Sequence, residues 1–388
     1  MSDPSSPAVS GGSPIFEHPL HVGRPNVGDR ATFLARVEDA LDRVWLSNDG
    51  PYVRELEAHI EQLLGVRHCI AVCSGTVALQ IMAEACGLTG EVIVPSFTFV
   101  ATAHALEWQG VTPVFCDVDP RTHNIDPARV EDLITERTTG ILGVHVWGRP
   151  CDVEALQAIA DRHGLVLAFD AAHALACSHN GRMIGNFGAA ESFSFHATKF
   201  FNTFEGGAIT TNDDEVAARC RLARNFGFDG PDHVVSVGIN GKMNEVCAAM
   251  GLTNLEALST FIEVNTRNYR AYAEGLEAIP GVDLIQYSQA EQSNYQYVVI
   301  EVDEGRAGLT RDQLHAILTA ENVLARRYFY PGCHAMVPYC SRPLRASLPQ
   351  TERLTGRTLS LPTGTGVDVN DIRVICQLIA ASASDVRA

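Results

Sequence analysis

The chain reads as an α/β protein: a large domain built on a mostly parallel central sheet flanked by helices, followed by a smaller C-terminal α+β domain. From Arg30 to about Leu258, short β-rich runs alternate with amphipathic helical patterns, the rhythm of βαβ units. Those β-rich runs are apolar almost throughout, as strands covered on both faces must be. At 388 residues, 46% of them hydrophobic, the chain can also bury one large core and a second, smaller one.

Residues 1–14 are rich in Ser, Pro and Gly and predict a disordered tail, without the basic start or apolar stretch of a signal peptide. The large domain is expected over 15–258, N-terminal arm included. Arg30–Trp45 and Val53–Leu64 carry apolar residues at helical spacing. His68–Val72 is a short strand that ends in Cys73-Ser74-Gly75-Thr76 and leads into a helix, Val77–Cys86. The alternation continues with strand Glu91–Val94, helix Phe99–Gln109, strand Thr112–Val118, helix Pro127–Thr135, strand Gly140–Val146, helix Val153–His163 and strand Leu165–Phe169. After the apolar run Ala190–Phe195 come strand Ala208–Thr211 and helix Asp213–Asn225. A loop rich in Gly, Pro and Asp spans Phe226–Gly241, and Asn244–Leu258 is helical again. The second domain, 259–388, is expected to open with a long helix from Phe261 to about Leu276. Strand Tyr295–Val302, helix Thr310–Glu321 and a terminal helix from Val369 follow.

The net charge of −17 and a pI near 5.2 argue against nucleic acid and anionic membrane surfaces as partners. Any phosphate must then be held by local dipoles and donors. Eleven cysteines without a CxxC pair suit a reducing cytosol. No apolar stretch approaches the roughly 20 residues that span a bilayer. A soluble cytoplasmic protein is expected.

The most informative stretch is Ser194-Phe195-His196-Ala197-Thr198-Lys199, followed by Glu205-Gly206-Gly207. It sets one lysine just beyond an apolar strand, without the neighbouring acids of a surface ion pair. Such a lysine can lose its proton, and a neutral amine forms a Schiff base with an aldehyde. Ser74-Gly75-Thr76 sits where a strand turns into a helix. Glycine allows close backbone approach, and the helix N-terminus offers unpaired N–H groups, a setting for phosphate; a plain N-cap explains the same residues. It is neither a GxGxxG fingerprint nor a P-loop. Asp170 ends a buried strand, at the edge where open α/β sheets bind ligands. A carboxylate there can keep a pyridine nitrogen protonated, or it caps a turn. His173 could orient Asp170 or bond a ligand oxygen, or simply be satisfied by backbone. The trio His173, Cys177 and His179 lacks a fourth metal ligand at usual spacing, so no metal is expected. Phe99 lies beyond a strand end, where a ring could stack on a flat ligand or join the core. Asn240 is a turn asparagine that could also reach a phosphate.

In this order, these pieces resemble the DegT/StrS family of sugar-nucleotide aminotransferases, fold-type I enzymes that use pyridoxal 5′-phosphate (PLP). The likeness runs from about Val22 to the C-terminus. It is carried by Ser194–Lys199 with Glu205-Gly206-Gly207, Asp170-Ala171-Ala172-His173, Ser74-Gly75-Thr76 and Gly238-x-Asn240-x-Lys242-Met243. The resemblance implies that Lys199 is the Schiff-base lysine and Asp170 the partner of the pyridine nitrogen. It also implies that Ser74, Gly75, Thr76 and Ser194 hold the phosphate, joined by Asn240 from a second subunit of a homodimer. Phe99 would stack on the ring and His173 would meet its 3-hydroxyl side. His334, Tyr328 and Arg326 lie where relatives shape the sugar pocket. The chain departs from the common pattern at His173 (often Gln), Phe169 (often Glu), Lys242 (an Arg) and Phe204 (usually Gly). Members that dehydrate sugars carry His in place of the lysine, so Lys199 favours transamination.

Further motifs, among them Val144–Cys151 and Leu359–Thr365, resemble enzymes that aminate C4 of a dTDP-4-keto-6-deoxyhexose for antibiotic sugars. The expected reaction passes nitrogen from L-glutamate to the ketosugar in two half-reactions, with Lys199 moving the proton and Asp170 keeping the ring an electron sink. The alternatives are C3 amination of a 3-keto sugar nucleotide, PLP-dependent sugar dehydration, and a non-catalytic sensor on the same fold.

Overall fold

A computed structural model describes residue 8 and residues 11–385. Seven strands form its central sheet, in the spatial order His68–Val72, Gly207–Thr211, Glu191–Ser194, Val166–Asp170, Thr138–Val144, Glu91–Pro95 and Thr112–Cys116. Every pair from Glu191–Ser194 outward to Thr112–Cys116 is parallel, whereas Gly207–Thr211 runs antiparallel to both its neighbours. The sheet is therefore mostly parallel, and its strands are buried nearly end to end. The reversed strand has a consequence for the site. Its first residue, Gly207, pairs with Ser194 on one side and Val72 on the other, each the last residue of its strand. Six strand C-termini and one strand N-terminus thus share an edge.

Helices cover both faces because their apolar stripes match the sheet. Leu79, Met82 and Leu106 pack with Val72, Val94, Leu142 and Ile209 on one side. Leu56 and Ile60 pack with Ala71, Phe193 and Ala208 on the other, where Leu156 joins Ile141, Leu167 and Phe169. Each fully buried Leu or Phe contributes about 1.5–3 kcal/mol. Local signals set the helix ends. Pro51 starts Pro51–Leu64 and Gly65 ends it at φ 64°. The Asp152 side chain caps Val153–His163 and Gly164 closes it.

A three-stranded antiparallel sheet of Val282–Leu284, Val298–Val302 and Thr358–Leu361 lies against a second core that includes Tyr272, Leu276, Leu314, Ile372 and Ile379. The long helix is Leu258–Leu276; its Leu258 and Phe261 belong to the first region, and Tyr269, Tyr272 and Leu276 to the second. Leu20–His21 pairs in parallel with Val323–Leu324. Most of the tail expected to be disordered (residues 1–7, 9 and 10) lies outside the described residues. Ala8 and Ile15 each donate a backbone N–H to the buried Glu321 carboxylate, at 2.8 Å.

Several expected boundaries shift for local reasons. The first helix stops at Asp42 because Val44 turns left-handed at φ 53°. The helix expected from Phe99 begins at Ala101, which leaves Phe99 in the preceding loop. The strand expected from Tyr295 begins at Val298, since Tyr295 has φ 47°. The stretch Pro127–Thr135 is α-helical only over Pro127–Val130 and tightens to a 3₁₀ turn over Glu131–Leu133. Among the described residues no helix is long and apolar enough to cross a membrane.

Candidate active site

The shared strand edge opens into a cavity of about 310 Å³. Ser74, Gly75, Thr76, Phe99, Asp170, His173, Ser194 and Lys199 all line it, although they come from four separate segments. Asn240 does not line this cavity; it sits exposed in the 226–241 loop, in a bridge with Asn225.

Lys199 hangs from a tight turn beyond strand Glu191–Ser194. Its N–H donates to His196 O at 2.8 Å, and the next peptide is clamped from two directions. Phe200 N–H donates to Gln296 Oε1 at 3.2 Å, and Phe200 O accepts Asn26 Nδ2 at 2.9 Å. The lysine amine points into the cavity, 6.0 Å from the centre of the Tyr297 ring. Among the described residues no carboxylate lies within ion-pair distance of it. Burial lowers its pKa from 10.5 to about 8, against the upward pull of Asp170 and Tyr328.

Asp170 ends its strand with a buried carboxylate. One oxygen accepts Thr102 Oγ1 at 2.8 Å and the other accepts Ala172 N–H at 3.0 Å. Burial raises its pKa, while those two donors and Lys199 oppose the rise. Both oxygens keep lone pairs for a further donor. His173 is buried beside it, parallel to Trp147 and Phe329. Burial, and secondarily Lys199, holds its pKa well below the usual value, so the ring is neutral.

Ser74 does cap the helix Gly75–Ala85, accepting Val77 N–H at 3.2 Å. The N–H groups of Gly75 and Thr76, next along, find no partner among the described residues, as first-turn donors do. Gly75 is required by contact: a Cβ there would stand 2.7 Å from Ser194 Cβ and 2.8 Å from its Oγ. Gly207 is pressed as closely: a Cβ added there would stand 2.6 Å from Phe193 O. Phe99 is 56% exposed at the cavity, which excludes a core role, whereas neighbouring Phe97 is fully buried.

Thr102, behind the cavity wall, and Ser192 and Tyr297, within it, carry no sequence signal of their own. Thr102 holds Asp170; Ser192 pairs with Asp170 across the sheet and has a buried Oγ without a hydrogen-bond partner. Tyr297, Arg326, Tyr328 and Phe329 close the cavity from the C-terminal half. His334, expected near Tyr328 and Arg326, is bonded instead to Ser96 Oγ at 2.7 Å and does not line the cavity. His179 pairs with Glu154 at 2.8 Å, away from His173.

An isolated lysine amine, a strand-end carboxylate and a donor-rich helix start point to one chemistry, and the comparisons agree. Residues 28–380 match the DegT/DnrJ/EryC1/StrS aminotransferase family. The chain belongs to that family. It is 37% identical over 347 residues to dTDP-4-amino-4,6-dideoxy-D-glucose transaminase of Shigella dysenteriae, covering 89% of this chain and 94% of that protein. It is 35% identical to the Escherichia coli protein of the same name, covering 93% and 98% of the two chains. The crystal structure of DesI in the presence of its TDP-sugar product superposes with a TM-score of 0.95 at 51% identity, over 98% of this chain and 97% of that one.

This DegT/DnrJ/EryC1/StrS member is therefore an aminotransferase with PLP as its cofactor. The cavity fits that group. The Gly75 cradle leaves room for a phosphate where any Cβ would collide with Ser194, the orphaned Ser192 hydroxyl is free to bond, and the donor set matches phosphate, pyridine nitrogen and aldehyde.

Proposed function

We propose that this protein transfers an amino group from L-glutamate to C4 of a dTDP-4-keto-6-deoxyhexose, forming dTDP-4-amino-4,6-dideoxyglucose for an antibiotic sugar. The observation that carries the reading is the Lys199 amine, with a pKa near 8 and no ion-pair partner among the described residues, in one cavity with Asp170 and His173. The names of the Shigella and E. coli relatives and of the DesI structure support the substrate class.

In this reading PLP supplies an aldehyde to carry nitrogen and a ring that withdraws electrons. The chain's residues do the rest. Ser74, Gly75, Thr76 and Ser194 hold the phosphate through hydroxyls and helix-start N–H groups. Asp170, ionised and steadied by Thr102 and Ala172, holds the proton on the ring nitrogen. Phe99 would cover one ring face, and His173 would meet the ring oxygen. Lys199 Nζ would take the proton from the amino donor's Cα and hold it for return; a group with pKa near 8 can do both.

The reading includes a homodimer, in the cytoplasm, with active sites at the interface and the partner subunit's Asn240 completing each phosphate site. Exposed apolar residues around Asn240, among them Val234, Val235 and Val237, support that interface. Free thiols at all eleven cysteines accord with a reducing compartment. We also place the domain boundary at 258/259, within the long helix, with Leu20–His21 lending a strand to the second domain.

The test is to supply a panel of nucleotide ketosugars and L-glutamate, weigh the products and locate nitrogen by NMR. An amine at C4 with stoichiometric 2-oxoglutarate is expected, and Lys199→Ala should lower turnover by at least ~10⁴-fold. Nitrogen at C3, or loss of water without 2-oxoglutarate, would overturn the assignment.

A further inference from the structure

His173 is committed on one side of its ring. Its Nδ1 accepts the backbone N–H of Trp147 at 3.2 Å, and a main-chain N–H can only donate. A neutral imidazole then carries its proton on Nε2. That atom lies 3.4 Å from Tyr297 Oη, at the cavity wall.

Trp147 is held in an unusual way. It is fully buried with φ 63°, a left-handed conformation that a bulky side chain adopts only when its surroundings impose it. The surroundings are specific. Its indole Nε1–H donates to His123 Nδ1 at 3.2 Å, and its carbonyl accepts Tyr287 Oη at 3.1 Å. His123 Nε2 in turn faces Glu301 Oε1 at 3.0 Å, and Arg353 holds the other Glu301 oxygen at 2.8 Å. The indole can only donate and an ionised carboxylate can only accept, so His123 is also the Nε2–H tautomer. Phe329 stacks on Trp147 at 5.0 Å, and Phe97 meets both Trp147 and His123 edge-on. Burial pushes the His123 pKa down as well, which keeps this ring neutral too.

We infer that Glu301 and His123 anchor Trp147, from which hydrogen bonds run outward to both histidines, so that its main-chain N–H fixes the tautomer of His173 and presents the His173 Nε2–H to the bound cofactor. Trp147 and His123 are thus positioning residues, and Glu301 ties the donor's direction to the second core's strand Val298–Val302. The inference rests on the reading of His173 as a cofactor contact.

The experiment is ¹⁵N NMR of histidine-labelled protein, with and without PLP, in which the His173 signals are identified by their loss in His173→Gln. The parent should show one protonated and one bare ring nitrogen at His173. In His123→Leu these signals should average, the visible absorption band of the holoenzyme should shift, and kcat should fall roughly tenfold, the weight of one hydrogen bond, with KM little changed. His123→Gln, whose amide can accept from the indole and donate to Glu301, should restore all three. A His173 that keeps its fixed tautomer in His123→Leu overturns the inference. If that variant does not fold, Trp147→Phe removes the same bond from the other side and is read identically. Averaged signals with an unmoved absorption band would support the hydrogen-bond series and count instead against His173 as a cofactor contact.

Discussion

Lys199 and Asp170 show how burial prepares two groups for the opposite tasks proposed for them. Desolvation disfavours charge on both, so it pulls the lysine's pKa down to about 8 and pushes the carboxylate's up. Only the neutral amine attacks an aldehyde. Capture of PLP by the apoprotein should therefore accelerate roughly tenfold per pH unit below 8 and level off above it, as stopped-flow absorbance would record; a rise continuing toward 10.5 would show an ordinary lysine. Asp170 works in the reverse sense, since its ionised form is the useful one. Thr102 favours that form by donating to it. Thr102→Val should raise the Asp170 pKa further, so the acid limb of the kcat/KM profile moves to higher pH, with a stability loss of about 1 kcal/mol. A profile unmoved on its acid side would exclude this role.

The helix Gly75–Ala85 and the reversed strand Gly207–Thr211 build the proposed phosphate cradle together. The strand brings Gly207 between Val72 and Ser194, and that closeness forces Ser194 against the first helical residue. A methyl group at position 75 has nowhere to go except into Ser194 or the cradle. Gly75→Ala should therefore weaken retention of PLP at least ~tenfold in equilibrium dialysis, while far-ultraviolet dichroism stays unchanged, because alanine suits a helix start. These elements were legible to different degrees. His68–Val72 and Val153–His163 match their expected bounds, since an apolar run or a capped amphipathic turn signals its own ends. Thr358–Leu361 escaped notice because so short a strand shows no period; its partner Val298–Val302 defines it.

Across the whole molecule, the cavity joins residues from the N-terminal and C-terminal parts of the chain, and in the proposed dimer its phosphate site awaits the partner's Asn240. The 226–241 loop carries Val237 at 85% exposure beside other apolar residues, an arrangement that a second copy would bury. Val237→Asp should place a charge in that contact. Sedimentation at micromolar concentration should then show monomer, with PLP affinity reduced in parallel; a variant that remains dimeric would move the interface elsewhere.

Chemical identity proved to be local. The amine beyond an apolar strand, the carboxylate at a strand end and the glycine before a helix each stand out within a few residues, so Lys199, Asp170 and Ser74–Thr76 could be singled out as candidates and the family read from their order along the chain. Proton placement is not local. Thr102 beneath Asp170, the orphaned Ser192 hydroxyl, Asn26 on the lysine turn, and the path from Glu301 to His173 depend on segments that meet only once the sheet and the second core are packed. A hydrogen bond's direction is set by both of its partners, and no single stretch of chain contains both.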